Sequence, residues 1–196
     1  HIGVAFDPAG PTFRHEAFEQ YKAQREETPE AIRLSVPIIK EIIRAYRIPI
    51  LEVAGYEADD VIGTLATEAG RQGIITYMMT PDKDYGQLVS DKVFMYRPKH
   101  TGGFEVMGVD EVKAKFDIQS PAQVIDMLGL MGDSSDNIPG CPGVGEKTAQ
   151  KLIAEFGSIE NLLEHTDQLK GALKTKVETN REMITFSKFL ATIKIL

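Results

Sequence analysis

Residues 55–89 read GYEADDVIGTLATEAGRQGIITYMMTPDKDYGQLV, and this stretch decides the fold. Gly55 breaks the chain, Val61, Ile62, Leu65 and Ala69 then recur on one helical face, and Gly73 stops a helix expected over about 58–71. Ile74–Met79 follows as an apolar strand. The same alternation lies upstream. Ile2–Phe6 reads as a strand, and Pro8-Ala9-Gly10-Pro11 breaks it. Thr28-Pro29-Glu30 opens a helix with Ile32, Val36, Ile39, Ile43 and Tyr46 at helical spacing, and Ile50–Val53 reads as the next strand. Residues 13–27 are polar and helix-favouring. Strands alternating with helices predict an α/β fold with a mostly parallel central sheet flanked by helices.

Downstream the pattern changes. Val93–Tyr96 and Phe104–Val106 flank the turn-like Pro98–Gly103, which predicts a hairpin. From about Val109 only helices are expected, at roughly 109–116, 121–130, 146–155, 158–164, 168–172 and 178–188. The expected division is an α/β core over 1–108 and a C-terminal helical region over 109–196. The 196-residue length suits one domain with a small appendage, and 26% charged with 42% hydrophobic residues is ordinary globular composition. No apolar run approaches the ~20 residues of a membrane helix, and the N-terminus lacks the pattern of a signal peptide. The single cysteine, Cys141, excludes an internal disulfide and a cysteine-built zinc site.

The net charge of −7 is unevenly spread. Residues 1–55 carry −1, residues 56–139 carry −7 and residues 140–196 carry +1. The excess falls in short motifs: Glu57, Asp59 and Asp60; Asp82 and Asp84; Asp133 and Asp136; with Asp7 standing alone. Asp7 follows the first expected strand, Glu57 the second, and Asp82 and Asp84 the third. In an open parallel sheet, ligands bind outside the carboxyl ends of the strands. Glu57 and Asp59 point ~200° apart on a regular helix, so they converge only if Glu57 precedes the first turn. Asp82-Lys83-Asp84 alternates like a strand end, with Lys83 turned away. These acids also admit plainer readings, as a solvated face, a helix-dipole complement or an Asx turn. Taken together they point to hard oxygen ligands for Mg²⁺ or Mn²⁺, since the four histidines show no ligand spacing. Two such ions are the usual solution for phosphodiester hydrolysis.

Ile138–Ala149 reads IPGCPGVGEKTA and leads into the helix QKLIAEF. Gly143-Val144-Gly145 permits close approach, and the amides opening the next helix can face a phosphate, with Lys147 and Thr148 adding a charge and a hydroxyl. GYEADDVIGTLA, TPDKDYGQLVSDKV and MGDSSDNIPGCPGVGEKTAQKLI, in this order, resemble the 5′-3′ exonuclease/flap endonuclease family, closest to the N-terminal 5′-nuclease domain of a bacterial DNA polymerase. The resemblance covers essentially the whole chain. It implies a PIN-like 5′-nuclease fold and a Mg²⁺-dependent nuclease acting on 5′ ends and 5′ flaps of DNA in replication and repair, in the bacterial cytoplasm at the nucleoid. A polymerase domain is expected C-terminally in the parent chain.

By matching motifs, the resemblance gives Asp7, Glu57, Asp59, Asp60, Asp82, Asp84, Asp133 and Asp136 the metal positions, for two Mg²⁺ ions with Mn²⁺ as substitute. It makes Gly140–Lys151 the helix-hairpin-helix element, near 138–155, which grips duplex backbone and can hold K⁺. Gly140, Gly143, Val144, Gly145, Lys147, Thr148 and Lys151 are its expected DNA contacts. Residues 13–30 resemble the arch that captures the single-stranded 5′ end. Phe13, Arg14, Tyr21, Lys22 and Arg25 are the expected contacts there, with Lys22 and Arg25 steadying the scissile phosphate and Tyr21 read equally as a base-stacking or a core residue. The family carries a further strand and ligand aspartate ahead of Ile2–Phe6, so a shortened and impaired chain is also expected. The competing readings are an aspartate phosphohydrolase using Asp82, and a non-catalytic DNA-binding module.

Overall fold

Short parallel strands organise the N-terminal half of the computed structural model, which describes residues 1–196. Strand β1 (Val4–Ala5) pairs in parallel with β2 (Ile50–Leu51), in the register Val4 to Ile50. Between them lie helix α1 (Phe13–Ala17) and the long α2 (Glu30–Ala45). After β2 comes α3 (Ala58–Arg71), then β3 (Thr76–Met79), a 3-10 turn over Lys83–Leu88, and the antiparallel hairpin of β4 (Val93–Pro98) and β5 (Phe104–Met107). Strand β3 pairs in parallel with β4. The expected parallel pairings are therefore present but lie in two separate sheets, ordered β1-β2 and β3-β4-β5.

The C-terminal half is helical throughout. It comprises α4 (Val109–Phe116), α5 (Val124–Met131) entered through a 3-10 turn at Pro121–Gln123, α6 (Glu146–Phe156), α7 (Ile159–Glu164), α8 (Gly171–Thr179) and α9 (Arg181–Ala191). Helix α5 is apolar on nearly every side, as a helix hydrophobic all round must be when buried. Val124, Met127, Leu128 and Leu130 are fully enclosed against Ile153, Ile159, Leu162, Ile184 and Leu190. Gly129 lets α9 come close: a Cβ there would lie 2.6 Å from Ile159 Cδ1 and 3.1 Å from Lys188 Cα. One core runs from Tyr21 through the β4 and α5 side chains to Ile193. No helix is long and apolar enough to cross a membrane.

Two expectations are corrected. The helix expected over 13–27 is only five residues long and gives way to turns, with Lys22 in the left-handed region at φ 56°. Its backbone bonds elsewhere: Lys22 N donates to Asp136 O at 3.0 Å. The helices expected at 168–172 and 178–188 are instead α8 and α9, preceded by a 3-10 turn at Thr166–Gln168. Helix α2 forms with the expected apolar spacing; none of its residues is buried, and Ile32 and Ile39 are exposed.

Candidate active site

The ends of β1, β2 and β3 deliver carboxylates to one region, joined by the turn after α5. Glu57 is extended (φ −77°, ψ 160°) and precedes the first turn of α3, which frees it from the opposition expected of a regular helix. The amide of Ala58 donates to Asp7 Oδ1 at 2.8 Å, tying the end of β1 to the start of α3. Asp82 caps the 3-10 turn and accepts from Asp84 N at 3.0 Å. Asp59 accepts from the Tyr85 hydroxyl at 2.8 Å. After α5, Gly132 takes φ 73°, and Asp133 Oδ1 accepts from Ser135 N at 2.8 Å and Ser135 Oγ at 2.6 Å, an Asx turn. Asp136 faces back across the gap to Tyr21, Lys22 and Arg25.

The carboxylates share one another's fields. Burial raises the Asp84 carboxyl to about 7, reinforced by Asp82, opposed by Lys83, and reinforced again by Asp133 and Asp136. Burial likewise raises Asp59 to about 6, against the Tyr85 hydrogen bond and the Lys22 charge, with Glu57 and Asp82 adding repulsion. Asp133 moves the other way: burial is outweighed by the hydrogen bonds from Lys83 and Ser135. Asp84 Oδ1 is buried without a hydrogen bond, although the Lys83 ammonium lies 3.4 Å away. A group of like charges this close stays ionised together only when cations compensate it. Here Lys22 reaches Glu57 at 2.6 Å and Asp136 at 3.7 Å, Arg25 pairs with Asp136, and Lys83 bridges Asp133 and Asp84.

With those cations interposed, no three carboxylate, imidazole or thiolate side chains converge on a single point. The donor chemistry still fits a hard divalent cation: every donor is oxygen, and one buried carboxylate oxygen accepts no hydrogen bond. Asp60 is the exception among the expected ligands. It is fully buried, and both its oxygens are occupied by Arg14, Glu57 N and Lys194 N. Lys83, expected to turn away, points into the site and was missed as a site residue. Its alternation argument assumed a strand, whereas Lys83–Leu88 is a 3-10 turn.

Two expected DNA contacts lie inside the protein. Arg14 is 2% exposed and spends its guanidinium inside the protein. Tyr21 is buried, with its hydroxyl donating to Glu57 at 3.1 Å and Asp136 at 3.2 Å, which agrees with the core reading of this residue. Phe13 is half-buried against Tyr56 and Phe189. Lys22 is partly covered, whereas the Arg25 side chain is half exposed.

In the hairpin, Gly143, Gly145, Lys147 and Lys151 are exposed and Thr148 is half-buried. Gly145 precedes α6, and a Cβ there would meet nothing within 4 Å. Val144 and Gly140 are buried and hold the hairpin instead. The amide of Gly140 donates to Ser187 Oγ at 2.9 Å, and its Cα packs so closely on Gly132 that a Cβ would lie 2.3 Å from Gly132 N.

Comparison with known proteins gives concordant matches. A family model described as 5′-3′ exonuclease, N-terminal resolvase-like domain, matches residues 1–117. Another, described as 5′-3′ exonuclease, C-terminal SAM fold, matches residues 119–195. DNA polymerase I of Bacillus subtilis (strain 168) is 47% identical over 195 residues, covering 98% of this chain. DNA polymerase I of Bacillus caldotenax is 45% identical over 196 residues, covering 99%. The chain spans 22% of the length of each. Among solved structures, zinc-bound T5 5′-exonuclease superposes with a TM-score of 0.80 at 23% identity, covering 96% of this chain and 72% of that one. The catalytic core of Rad2 in complex with DNA substrate gives a TM-score of 0.61 at 16% identity, covering 98% and 65%. At such identities these two establish the likeness of fold.

Proposed function

The chain belongs to the 5′-3′ exonuclease family, and from that premise we propose that it is a Mg²⁺-dependent nuclease cutting DNA at 5′ ends and 5′ flaps in replication and repair. The observation that carries the proposal is Asp84: a buried carboxyl raised to about 7, with one oxygen that accepts no hydrogen bond, facing Asp82, Asp133 and Asp136. Its one close cation, the Lys83 ammonium at 3.4 Å, is shared with Asp133.

Asp7, Glu57, Asp59, Asp82, Asp84, Asp133 and Asp136 are the proposed holders of two Mg²⁺ ions. When bound, such ions acidify water and neutralise charge on the attacking and leaving oxygens of an in-line displacement. The rest is the work of this chain's own groups. The Lys22 ammonium and Arg25 guanidinium, held over the carboxylates by Glu57 and Asp136, attract the scissile phosphate and give up those acids to it. Tyr85 holds the Asp59 carboxylate in place. The exposed amides opening α6, with Lys147 and Lys151 beside them, bind duplex phosphates without reading bases. That hairpin, where K⁺ is the proposed monovalent occupant, sets the distance between the gripped duplex and the cut. The bacterial polymerases among the relatives support action at the nucleoid, with a polymerase domain following in the parent chain.

The test is cleavage of a 5′-labelled flap duplex with and without Mg²⁺, alongside Asp82→Ala. Cleavage that needs Mg²⁺ and vanishes in the variant, with duplex affinity kept, is the expected result. Equal turnover by the variant would remove the carboxylate site from the mechanism. A phospho-aspartate trapped at Asp82 would favour the phosphohydrolase reading instead.

A further inference from the structure

Arg14 is a cation that the family reading spends on DNA and the fold spends elsewhere. It is 2% exposed, and its five N–H groups meet five acceptors. Nε donates to Leu190 O at 3.0 Å, and Nη2 donates to Thr192 O at 2.7 Å and Asp60 Oδ1 at 2.8 Å. Nη1 donates to Asp60 Oδ2 at 2.9 Å and Glu57 Oε2 at 2.9 Å. Four of these contacts close on the interior. The fifth reaches the rim of the carboxylate region, where Glu57 also accepts from Tyr21 and Lys22.

We propose that Arg14, locked by Asp60 and by the carbonyls ending α9, is a positioning residue that fixes the Glu57 carboxylate for metal binding. The inference rests on the metal-dependent reading above. Three features carry it. First, Asp60 is engaged at every point, by both Arg14 nitrogens, by Glu57 N at 3.0 Å and by Lys194 N at 2.8 Å, so it holds the backbone of Glu57 as well as the guanidinium. Second, the planar fork is required. A lysine ammonium has three donors on a flexible stem and cannot serve these five acceptors at once. Third, the anchor draws on three elements distant in sequence: α1 supplies Arg14, α3 supplies Asp60, and residues 190–194 close the back. A glutamate at an open site has freely rotating torsions, and ordering it costs conformational entropy. Here the protein carries that cost in folding, before any ion arrives.

The experiment separates positioning from mere stability by a double-mutant cycle on the metal itself. Arg14→Lys, Glu57→Gln and the double variant are titrated with Mn²⁺ alone, reading free Mn²⁺ by electron paramagnetic resonance, and unfolded with urea in EDTA. Arg14→Lys is expected to weaken Mn²⁺ binding by ~10-fold, the usual cost of losing a group that orients a ligand. It should lower kcat on a 5′-flap duplex at saturating Mg²⁺ while moving KM by no more than about threefold, since no DNA contact is lost. In the Glu57→Gln background the Mn²⁺ effect of Arg14→Lys should shrink to within about twofold, because the group it positions is gone. A folded Arg14→Lys protein with unchanged Mn²⁺ affinity overturns the inference. So does an effect of equal size in both backgrounds, which a purely structural tie would give. If Arg14→Lys does not fold, Asp60→Asn, which loosens the lock and keeps the guanidinium, takes its place in the same cycle. If the wild-type chain cleaves no flap and Mn²⁺ affinity still depends on Arg14 through Glu57, the nuclease reading falls and the positioning role stands.

Discussion

Replacing Asp84 by Asn should stabilise the metal-free protein, and increasingly so as the pH rises. The carboxyl is 8% exposed and lifted from 3.8 to about 7, first by burial and then by Asp82. Between those two values the unfolded chain has released the proton and the folded chain has kept it. The folded state then binds more protons, so its stability falls with rising pH through that window and levels off above about 7. At ~1.36 kcal/mol per pKa unit, the displacement amounts to on the order of 4 kcal/mol lost between pH 4 and pH 8. Asn has nearly the same shape and no proton to lose. Lys83 keeps its contact with Asp133 in the variant, and any loss there is constant with pH. Urea unfolding of both proteins in EDTA, at steps from pH 4 to pH 8, reads the difference directly. The expected outcome is a stability gap that widens in favour of Asp84→Asn, with most of the change between pH 5 and pH 7.5. A gap that stays flat, or that closes as pH rises, would refute the reasoning that Asp84 is held neutral by its surroundings.

Gly145→Glu should weaken duplex binding in EDTA by about 1.5–3 kcal/mol, the worth of a charged hydrogen bond, for every sequence alike. The site is open and the backbone unstrained at φ −95°, so unfolding would not be the cause; loss confined to particular sequences, in a panel of labelled duplexes, would contradict backbone gripping. Gly129→Ala should cost about 1–3 kcal/mol through overpacking, because its Cβ would lie 2.6 Å from Ile159 Cδ1 and 3.1 Å from the Lys188 backbone. An unchanged urea midpoint would show that α5 and α9 separate more freely than their packing indicates.

The fold was legible wherever one element carried its own signal. Gly55 and Gly73 bracket α3 within a residue or two of the ends read from the sequence, and the hairpin of β4 and β5 appears where its turn residues placed it. What escaped depends on partners far along the chain. Residues 18–25 favour a helix locally, but their groups bond to the turn at 134–137 instead: Gln24 to Ser134 O, Arg25 to Ser135 O, Lys22 N to Asp136 O and Asn137 to Gln20 O. Helix α8 buries only Val177, so its sequence, GALKTKVET, has almost no periodicity to announce it. Asp126, an acid within an apolar helix, carries no motif that marks its role: it is 4% exposed, bonded to Ile159 N and to Lys188, and holds helices together away from the carboxylate region.

The candidate site divides at a single peptide bond. Asp59 and Asp60 are adjacent, chemically identical, and ~100° apart on α3. That rotation turns Asp59 toward Tyr85 and the neighbouring carboxylates, and Asp60 toward the interior. Motif reading assigns both to metal, because nothing within GYEADD distinguishes them. The distinction is made by Arg14, which lies 46 residues from Asp60, and by the main chain at 190–194. A buried Asp with an arginine fork and two backbone amides has no lone pair left to offer, whereas an Asp with one phenol keeps several. Sequence therefore identifies the acidic motif, and the filled hydrogen bonds of Asp60 set it apart from the proposed ligands beside it. By the same argument, the cations nearest the acids divide by exposure. Arg14 is sealed and holds the scaffold, while Lys22 and Arg25 remain in reach of solvent and are the ones able to exchange a carboxylate for a phosphate.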